Sequence, residues 1–280
     1  MKDSLGLIVC GVGGRMGGTI ARLIQETPGV VLAEATDRAG SPRIGQDSGE
    51  VAGAGQLGVA VTDRIDAAAE GRRVIVDFTT PEASLTHMKA AAKAGIPIVI
   101  GTTGFQARHL RQIRTLGAKT PTVLAPNMSL GVNLLLGLVG QVARSLGDTY
   151  DVEIVEAHHR FKKDAPSGTA LALARSAAEA LGRKLERVGV PGRNGVSERK
   201  TSDIGLISVR AGDIAGEHTV LFGGIGERIE LVHRAHSREA FARGAIRAAQ
   251  WLADKDAGLY TMQDVLGLAD GSSGPMASSR

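Results

Sequence analysis

Residues 5–17 read LGLIVCGVGGRMG, and this stretch decides the fold class of the first part of the chain. Its first half is an unbroken apolar run, which is typical of a strand buried on both faces of a parallel sheet. Its second half is a glycine-rich turn that leads into a helical pattern. Glycine lets the backbone turn tightly and approach a phosphate, and the N-terminus of the following helix offers free N–H groups. The stretch therefore predicts a strand–turn–helix unit able to bind a pyrophosphate.

The glycine spacing differs from the usual dinucleotide-binding pattern. The pattern G-x-G-x-x-G would place its last glycine at Met16, whereas the sequence has Gly17 one residue later. The alternative spacing Gly11, Gly14, Gly17 is satisfied. Arg15 lies inside the loop, where a guanidinium can reach a phosphate. A glycine loop alone is a weak signal, because a strand–turn–helix unit without a ligand has the same pattern.

Strand and helix patterns continue to alternate through the first half of the chain. Strands are predicted at 5–12, 30–37, 73–79, 96–101 and from 122, and helices at 17–26, 81–94 and 106–116. This alternation is typical of βαβ units, so we predict an α/β fold with an N-terminal Rossmann-like, doubly wound parallel sheet. Residues 40–59, rich in Gly, Ser and Asp, are predicted as a surface loop.

The pattern changes after residue 130 and predicts a C-terminal α+β domain. Helices are predicted at 131–146 and 169–181, strands at 152–158, 204–213, 218–223 and 228–235, and a loop at 182–203. The last three strands indicate a mixed or antiparallel sheet. We predict a dinucleotide-binding domain at 1–130 with residues 238–270 packed back on it, a second domain at 131–237, and a disordered tail at 271–280.

Composition narrows the class of protein. The 280 residues, 43% hydrophobic and 22% charged, suit two modest soluble domains. The net charge of +4 comes from interspersed basic and acidic residues with few aromatics, which argues against nucleic-acid binding. The single cysteine, Cys10, excludes an intrachain disulfide and favours a reducing compartment. No segment is predicted to be a signal peptide or long enough to span a membrane, so we expect a cytoplasmic protein with no membrane partner.

Other loops follow strands of the predicted parallel sheet, at the edge where open α/β sheets bind ligands. Asp37 ends the second strand and can accept hydrogen bonds from ribose hydroxyls, whereas Arg38 can attract a 2′-phosphate. The Asp37–Arg38 pair therefore does not distinguish NADH from NADPH as the cofactor. GTTG at 101–104 and APNM at 125–128 follow later strands and can approach a flat ring. Taken alone, each loop is equally consistent with an ordinary turn that binds no ligand.

Residues 153–170, EIVEAHHRFKKDAPSGTA, carry the clearest chemistry. A histidine has a pKa near neutrality and suits proton transfer, and a nearby lysine stabilises developing negative charge. The Pro-Ser-Gly-Thr turn then opens a helix whose free N–H groups suit a carboxylate. The other interpretation of this segment is a polar edge strand followed by an ordinary N-cap. Because the histidines, the lysines and the helix start lie so close together in the sequence, we favour an anion site beside an acid/base pair.

A zinc site is the other chemical interpretation of this segment. His158, His159 and Asp164 are candidate ligands. Adjacent histidines of a strand point to opposite faces, and neither a cysteine pair nor an H-E-x-x-H helix is present. We therefore expect no metal. No role is assigned to His218, His233 and His236, which lie on separate predicted strands or at their ends.

Five motifs together resemble the dihydrodipicolinate reductase family. They are GVGGRMG at 11–17, GTTG at 101–104, APNMSLGVN at 125–133, EAHHRFKKDAPSGTA at 156–170 and RAGDIAGEHTV at 210–220. The resemblance implies an NADH- or NADPH-dependent reduction of the cyclic dicarboxylate made by dihydrodipicolinate synthase, in lysine and diaminopimelate biosynthesis. It also implies a homotetramer whose contacts come from the sheet of the second domain.

The resemblance also implies roles for individual residues. His158 would be the proton donor or acceptor, and Lys162 would donate a proton or stabilise charge. Substrate carboxylate binding is implied for His159, Gly168 and Thr169. Cofactor binding is implied for Gly11, Val12, Gly13, Gly14, Arg15, Met16, Asp37, Arg38, Gly101, Thr102, Thr103, Ala125, Pro126, Asn127 and Met128. Met128 departs from the family pattern, which has an aromatic residue there, and this departure bears on how the nicotinamide packs.

Three alternatives remain open from the sequence. A different dehydrogenase on the same fold, acting on homoserine or an aspartate derivative, shares the glycine loop but does not explain HHRFKKDAPSGT. A non-catalytic NAD-binding regulator would need the glycine loop but neither His158 nor Lys162. A dehydratase without net hydride transfer is the third.

Overall fold

The computed structural model describes residues 4–268 and divides the chain into two compact units. Unit 1 consists of Met1–Leu130 and Glu239–Arg280, and unit 2 is Gly131–Arg238. The tail predicted at residues 271–280 lies outside the described residues. Unit 1 contains a parallel sheet and unit 2 a mixed sheet, which confirms the predicted fold class.

Seven parallel strands form the sheet of unit 1. They are β1 (Leu5–Cys10), β2 (Val30–Thr36), β3 (Val61–Thr62), β4 (Arg73–Asp77), β5 (Ile98–Ile100), β6 (Pro121–Leu124) and β12 (Gly258–Tyr260), in the order β12-β6-β5-β4-β1-β2-β3. All six residues of β1 are buried, as its unbroken apolar run predicts. The chain adds strands on one side of β1 and then crosses to β4 on the other. This reversal creates a crevice at the carboxyl ends of β1 and β4, where such sheets bind ligands.

Helices cover both faces of this sheet. They are α1 (Arg15–Ile24), α2 (Ser48–Ala52), α3 (Pro81–Ala94), α4 (Ala107–Gly117), α8 (Glu239–Leu252) and α9 (Met262–Leu266). One core cluster joins β1 to α1 and α8, and a second joins the opposite side of β1 to α3. Gly244 of α8 lies so close to the Met128 carbonyl that a Cβ there would clash with it. The C-terminal segment thus completes the core of unit 1.

The segment at 40–59, predicted as a surface loop, contains the short helix α2. The Asp47 carboxylate caps α2 by accepting N–H bonds from Gly49 at 2.8 Å and Glu50 at 3.2 Å. It also accepts N–H bonds from Leu57 at 2.9 Å and Gly58 at 2.6 Å. One carboxylate therefore closes the loop from Asp47 to Gly58, which the local Gly and Ser content did not reveal.

Unit 2 contains a five-stranded mixed sheet with three helices. The helices are α5 (Leu130–Leu146), α6 (Gly168–Ala180) and α7 (Leu185–Val188). The strands are β7 (Asp151–His158), β8 (Gly189–Pro191), β9 (Ile204–Arg210), β10 (Gly216–Gly223) and β11 (Arg228–Ala235), in the order β11-β10-β7-β9-β8. The predicted loop at 182–203 therefore contains α7 and β8. These elements were missed because each spans only three or four residues.

Helix α5 corrects the prediction that no segment could span a membrane. Together with the short turn that follows it, the segment Leu130–Thr149 is long and apolar enough to cross a membrane, judged by length and composition alone. Leu135, Val139 and Ala143 pack into the core cluster of unit 2. Gly140 packs against Ser176, whose hydroxyl donates to the Leu136 carbonyl at 2.8 Å. This packing buries one face of α5, whereas Leu134 and Leu138 on the same helix are 43% and 37% exposed.

Candidate active site

A buried carboxylate organises the polar residues at the end of β7. Glu156 is 1% exposed, and its carboxylate accepts a hydrogen bond from His158 Nδ1 at 2.5 Å. Arg210 of β9 donates to both carboxylate oxygens, at 2.9 and 2.8 Å. The Ser167 backbone N–H donates at 3.2 Å. Glu156 therefore links strand β7, strand β9 and the start of helix α6 through one side chain.

These contacts set the charge of the pair formed by Glu156 and His158. Burial of Glu156 would raise its pKa, but hydrogen bonds from Arg210, Ser208 and His158 overcome burial and lower the pKa to about 2. Burial lowers the pKa of His158 below its ordinary value, and the Glu156 carboxylate only partly offsets this. Near neutral pH the geometry therefore favours an ionised Glu156 beside a neutral His158 that carries its proton on Nδ1.

The other ring nitrogen of His158 lies beside a glycine and a second histidine. A Cβ at Gly216 would come within 3.1 Å of His158 Nε2, so glycine leaves room for this edge of the ring. The buried His218 ring meets the His158 ring edge-on, with centroids 5.3 Å apart, and its Nε2 lies 3.1 Å from Ser167 Oγ. Burial and the nearby His158 lower the pKa of His218 to about 4. His218, to which the sequence assigned no role, is thus a neutral neighbour of His158.

Two further predicted residues lie in the turn after β7. The ammonium of Lys162 forms an ion pair with Asp164 at 2.9 Å. The Lys162 backbone N–H donates to the His159 carbonyl at 3.1 Å, and the His159 N–H donates to the Ile214 carbonyl at 2.8 Å. This turn brings the Lys162 charge close enough to His158 to lower the pKa of that histidine further.

The N-terminus of α6 supplies the predicted carboxylate-binding groups. Ser167 is the N-cap, and its hydroxyl accepts the Ala170 N–H at 3.1 Å. Gly168 and Thr169 open the helix, and no acidic side chain lies in its first turn. No heavy atom lies within 4 Å of the position that a Cβ on Gly168 would occupy. The first turn is therefore open to an anion, which the positive end of the helix dipole attracts.

In unit 1, the predicted glycine loop connects β1 to α1 and has the geometry of a phosphate cradle. Gly14 is the N-cap of α1, and no side chain caps this end of the helix. A Cβ at Gly17 would clash with the Gly11 carbonyl, and a Cβ at Gly11 would meet Thr79. Only glycine therefore fits this close backbone path, and the free N–H groups of α1 face the space that it leaves. Val12 is buried, so only its backbone is available to a ligand.

The loops after β4 and β5 are tied together by a network that the sequence did not reveal. The fully buried Asp77 accepts hydrogen bonds from the Thr79 hydroxyl at 2.6 Å and the Thr102 hydroxyl at 3.3 Å. Its other oxygen lies 2.7 Å from His87 Nδ1. Burial of His87 lowers its pKa, but the Asp77 hydrogen bond outweighs this and raises the pKa to about 10. A protonated His87 thus holds the carboxylate that fixes Thr79 and Thr102.

The 101–104 and 125–128 loops follow neighbouring strands of this sheet. Gly101 lies against the Phe78 ring, where a Cβ would clash, and Thr103 is exposed. In the second loop Pro126 is exposed, and the Asn127 side chain accepts the Ser129 N–H at 2.9 Å. The Met128 side chain is buried in the core, so this loop offers a ligand the backbone of that residue only. Within residues 4–268, no cluster of three or more His, Cys, Asp or Glu residues suits a metal ion.

Comparison with known proteins identifies the family. The family model described as "Dihydrodipicolinate reductase, N-terminus" matches residues 5–128, and that described as "Dihydrodipicolinate reductase, C-terminus" matches residues 131–266. The "4-hydroxy-tetrahydrodipicolinate reductase" of Syntrophus aciditrophicus (strain SB) is 53% identical over 261 residues, which cover 93% of this chain and 97% of that protein. The protein of the same name from Anaeromyxobacter dehalogenans (strain 2CP-1) is 53% identical over 266 residues, covering 95% and 98%.

Solved structures agree with this assignment at the level of the fold. The dipicolinate-bound dihydrodipicolinate reductase from Paenisporosarcina sp. TG-14 has a TM-score of 0.74 at 24% identity and covers 93% of this chain and 98% of that one. GenD2 in complex with NAD has a TM-score of 0.58 at 17% identity, with 95% and 91% covered. Both family models and relatives at half identity over nearly the whole length lead to one conclusion: the chain belongs to the dihydrodipicolinate reductase family.

Proposed function

We propose that this chain reduces 4-hydroxy-tetrahydrodipicolinate to tetrahydrodipicolinate with NADH or NADPH, as a step of lysine and diaminopimelate biosynthesis. The observation that carries the proposal is the Glu156–His158 pair with Lys162 beside the open N-terminus of α6, in a chain about half identical to named reductases. In the balanced reaction the substrate hydroxyl leaves as water, hydride enters the ring, and one proton is consumed.

The residues of unit 2 suit the binding of a cyclic dicarboxylate. The first turn of α6, with Gly168 and Thr169, and the His159 ring would bind a carboxylate. Lys162 would supply a fixed positive charge where negative charge develops on the ring. A bound dianion beside His158 would raise the pKa of that histidine. His158 would therefore take up its proton as substrate binds and deliver it from Nε2.

The residues of unit 1 suit a nicotinamide dinucleotide, which would supply the hydride. The cradle at Gly11–Gly17 and the free N–H groups of α1 would bind the pyrophosphate. Asp37 and Arg38 would contact the adenosine ribose. The Thr102 loop, held by Asp77, and the backbone of the Ala125–Met128 loop would orient the nicotinamide. We place this chemistry in the cytoplasm, where a reducing environment suits the buried Cys10 thiol.

The test is absorbance at the nicotinamide band, with freshly made product of dihydrodipicolinate synthase and NADH and NADPH in parallel. We expect substrate-dependent oxidation of at least one cofactor. Dipicolinate, the ligand of the Paenisporosarcina structure, serves as a probe that should inhibit in competition with substrate. Folded protein that binds nucleotide yet oxidises neither cofactor would contradict the proposal and favour the non-catalytic regulator.

We also propose that the chain forms a homotetramer through the face of the unit 2 sheet opposite its helices. This outer face exposes apolar side chains at 42% for Ile207, 40% for Val209 and 41% for Val232. Ile207 and Val209 alternate along β9 with residues that point to the buried face, so β9 carries apolar side chains on both faces, as expected for a sheet covered on both sides. A second copy of the chain would remove this apolar surface from water.

Ile207→Asp tests this assembly, because a carboxylate buried between copies is costly. Light scattering coupled to size-exclusion chromatography should show a tetramer for the wild type and a smaller species for the variant. Ile44→Asp is the control, since Ile44 is exposed to a similar degree in unit 1. A monomeric wild type, or an Ile207→Asp variant that remains tetrameric, would contradict the proposed interface.

A further inference from the structure

A basic side chain from outside the sequence motifs, Arg43, lies over the glycine loop. Arg43 Nη1 lies 3.3 Å from Asp37 Oδ2. Its guanidinium and Cδ pack so closely on Gly13 that a Cβ there would lie 2.6 to 2.8 Å from them. Arg43 therefore extends from Asp37, directly after β2, to the turn after β1. The proposed adenosine ribose and pyrophosphate would lie next to these two points.

The hydrogen bonds of Asp37 show which of its partners can be exchanged. The Arg38 backbone N–H donates to Oδ1 at 2.8 Å, and the Ser41 hydroxyl donates to Oδ2 at 2.9 Å. Both donors, a backbone N–H and a serine hydroxyl, are held in place by the local turn, and Ser41 is buried. Arg43 differs, because its side chain is long and 45% exposed, whereas Asp37 is 14% exposed. Arg43 is the donor that can leave Asp37 at little cost.

We infer that Arg43, in addition to Arg38, supplies the positive charge with which this chain accepts the 2′-phosphate of NADPH as well as the 2′-hydroxyl of NADH. The inference rests on the proposed function, since it assumes that a nicotinamide dinucleotide binds at the glycine loop. With NADH, the ribose hydroxyls replace Arg43 as donors to Asp37. With NADPH, the Arg43 guanidinium pairs with the 2′-phosphate and offsets its repulsion by the Asp37 carboxylate.

The balance of charge around Asp37 supports the inference. Asp37 alone would reject a 2′-phosphate by repulsion, and Arg38 next to it supplies one compensating charge. The Arg38 contact in the structure is made by its backbone N–H, whereas Arg43 contacts the carboxylate through its guanidinium. A planar guanidinium suits a phosphate because it can donate two parallel hydrogen bonds. Arg43 therefore adds the positive charge that a 2′-phosphate needs beside an acidic residue.

The test is direct binding of NADH and NADPH to the full chain, followed by the fluorescence of the reduced nicotinamide. Arg43→Ala should weaken NADPH binding about tenfold to a hundredfold, the range for one charge-assisted hydrogen bond. NADH binding should stay within about twofold. Arg43→Lys should keep part of the NADPH affinity. Arg111→Ala, an exposed arginine of α4, is the control and should change neither constant.

Competition with fragments separates the 2′-phosphate from the pyrophosphate. Adenosine 2′,5′-bisphosphate should lose affinity in Arg43→Ala, whereas 5′-AMP should not. An equal loss for both cofactors would assign Arg43 to the pyrophosphate and overturn the inference, as would unchanged NADPH binding or a wild type that binds NADH alone. A wild type that binds neither cofactor would instead refute the proposed function on which the inference rests.

Discussion

Lys162→Ala is expected to lower kcat by about a hundredfold to ten-thousandfold, the range for removal of an electrostatic or proton-transfer group from an active site. The variant removes the ammonium that the structure places near His158, so negative charge that develops on the substrate ring loses its partner. NADH binding should be unchanged, because the residues proposed to hold the cofactor belong to unit 1. Stopped-flow absorbance with saturating cofactor measures the rate, and nucleotide titration measures the binding.

The neighbouring lysine provides the matched control for this prediction. Lys163 is exposed and has the same side chain one position along the chain. Lys163→Ala should retain nearly full kcat, because its ammonium is not the one that acts on His158. A Lys162→Ala enzyme within about tenfold of the wild-type kcat would show that the charge of Lys162 is not used in the chemical step.

Glu156→Gln is expected to lower kcat by about tenfold to a hundredfold, as is usual when the partner that orients an active-site histidine is lost. Glutamine keeps the size of the side chain but removes the charge that raises the pKa of His158. The pKa of His158 should therefore fall further. If His158 must carry a proton to act, the pH profile of kcat/KM should shift towards lower pH. A purely structural role for Glu156 would leave the shape of this profile unchanged.

A glutamate on the same strand controls for the loss of charge itself. Glu153 lies three residues earlier on β7, on the opposite face, and pairs with Arg193 at 2.9 Å. Glu153→Gln should leave the pH profile unmoved. An unshifted profile in Glu156→Gln, or an equal shift in Glu153→Gln, would contradict the positioning role of Glu156.

The Glu156 carboxylate should also make the stability of unit 2 depend on pH in the acidic range. The pKa of Glu156 falls from its ordinary 4.5 to about 2 on folding, so its stabilising effect is present above pH 4.5 and is lost as pH falls towards 2. His218, with a pKa lowered from 6.5 to about 4, adds a loss of stability between pH 6.5 and 4, because the unfolded chain binds its proton more tightly. Thermal melts of Glu156→Gln should lack the first of these two dependences.

The sequence predicted much of the framework because strands and helices have local periodic patterns. The unbroken apolar run of β1 and the proline-initiated α3 were located closely, and the family and reductase assignments are confirmed by the comparisons. The short elements α2, α7, β3 and β8 were missed, since two to five residues do not establish a period. The site residues named from the motifs stay a prediction that the variants above test.

Local sequence by itself determined the glycine-rich turn after β1, the longer strands and helices of unit 1, and the polar segment at 153–170, because each depends on residues close together in the chain. Only the tertiary structure decided which charges meet. Arg210 and His218 lie 54 and 51 residues from their partners Glu156 and Ser167. Such pairs carry no local signal, because strand pairing and the packing of α6 join positions whose separation the chain pattern does not fix. The pKa values of His158 and Glu156 depend on that pairing, since burial and neighbouring charge are properties of the folded chain.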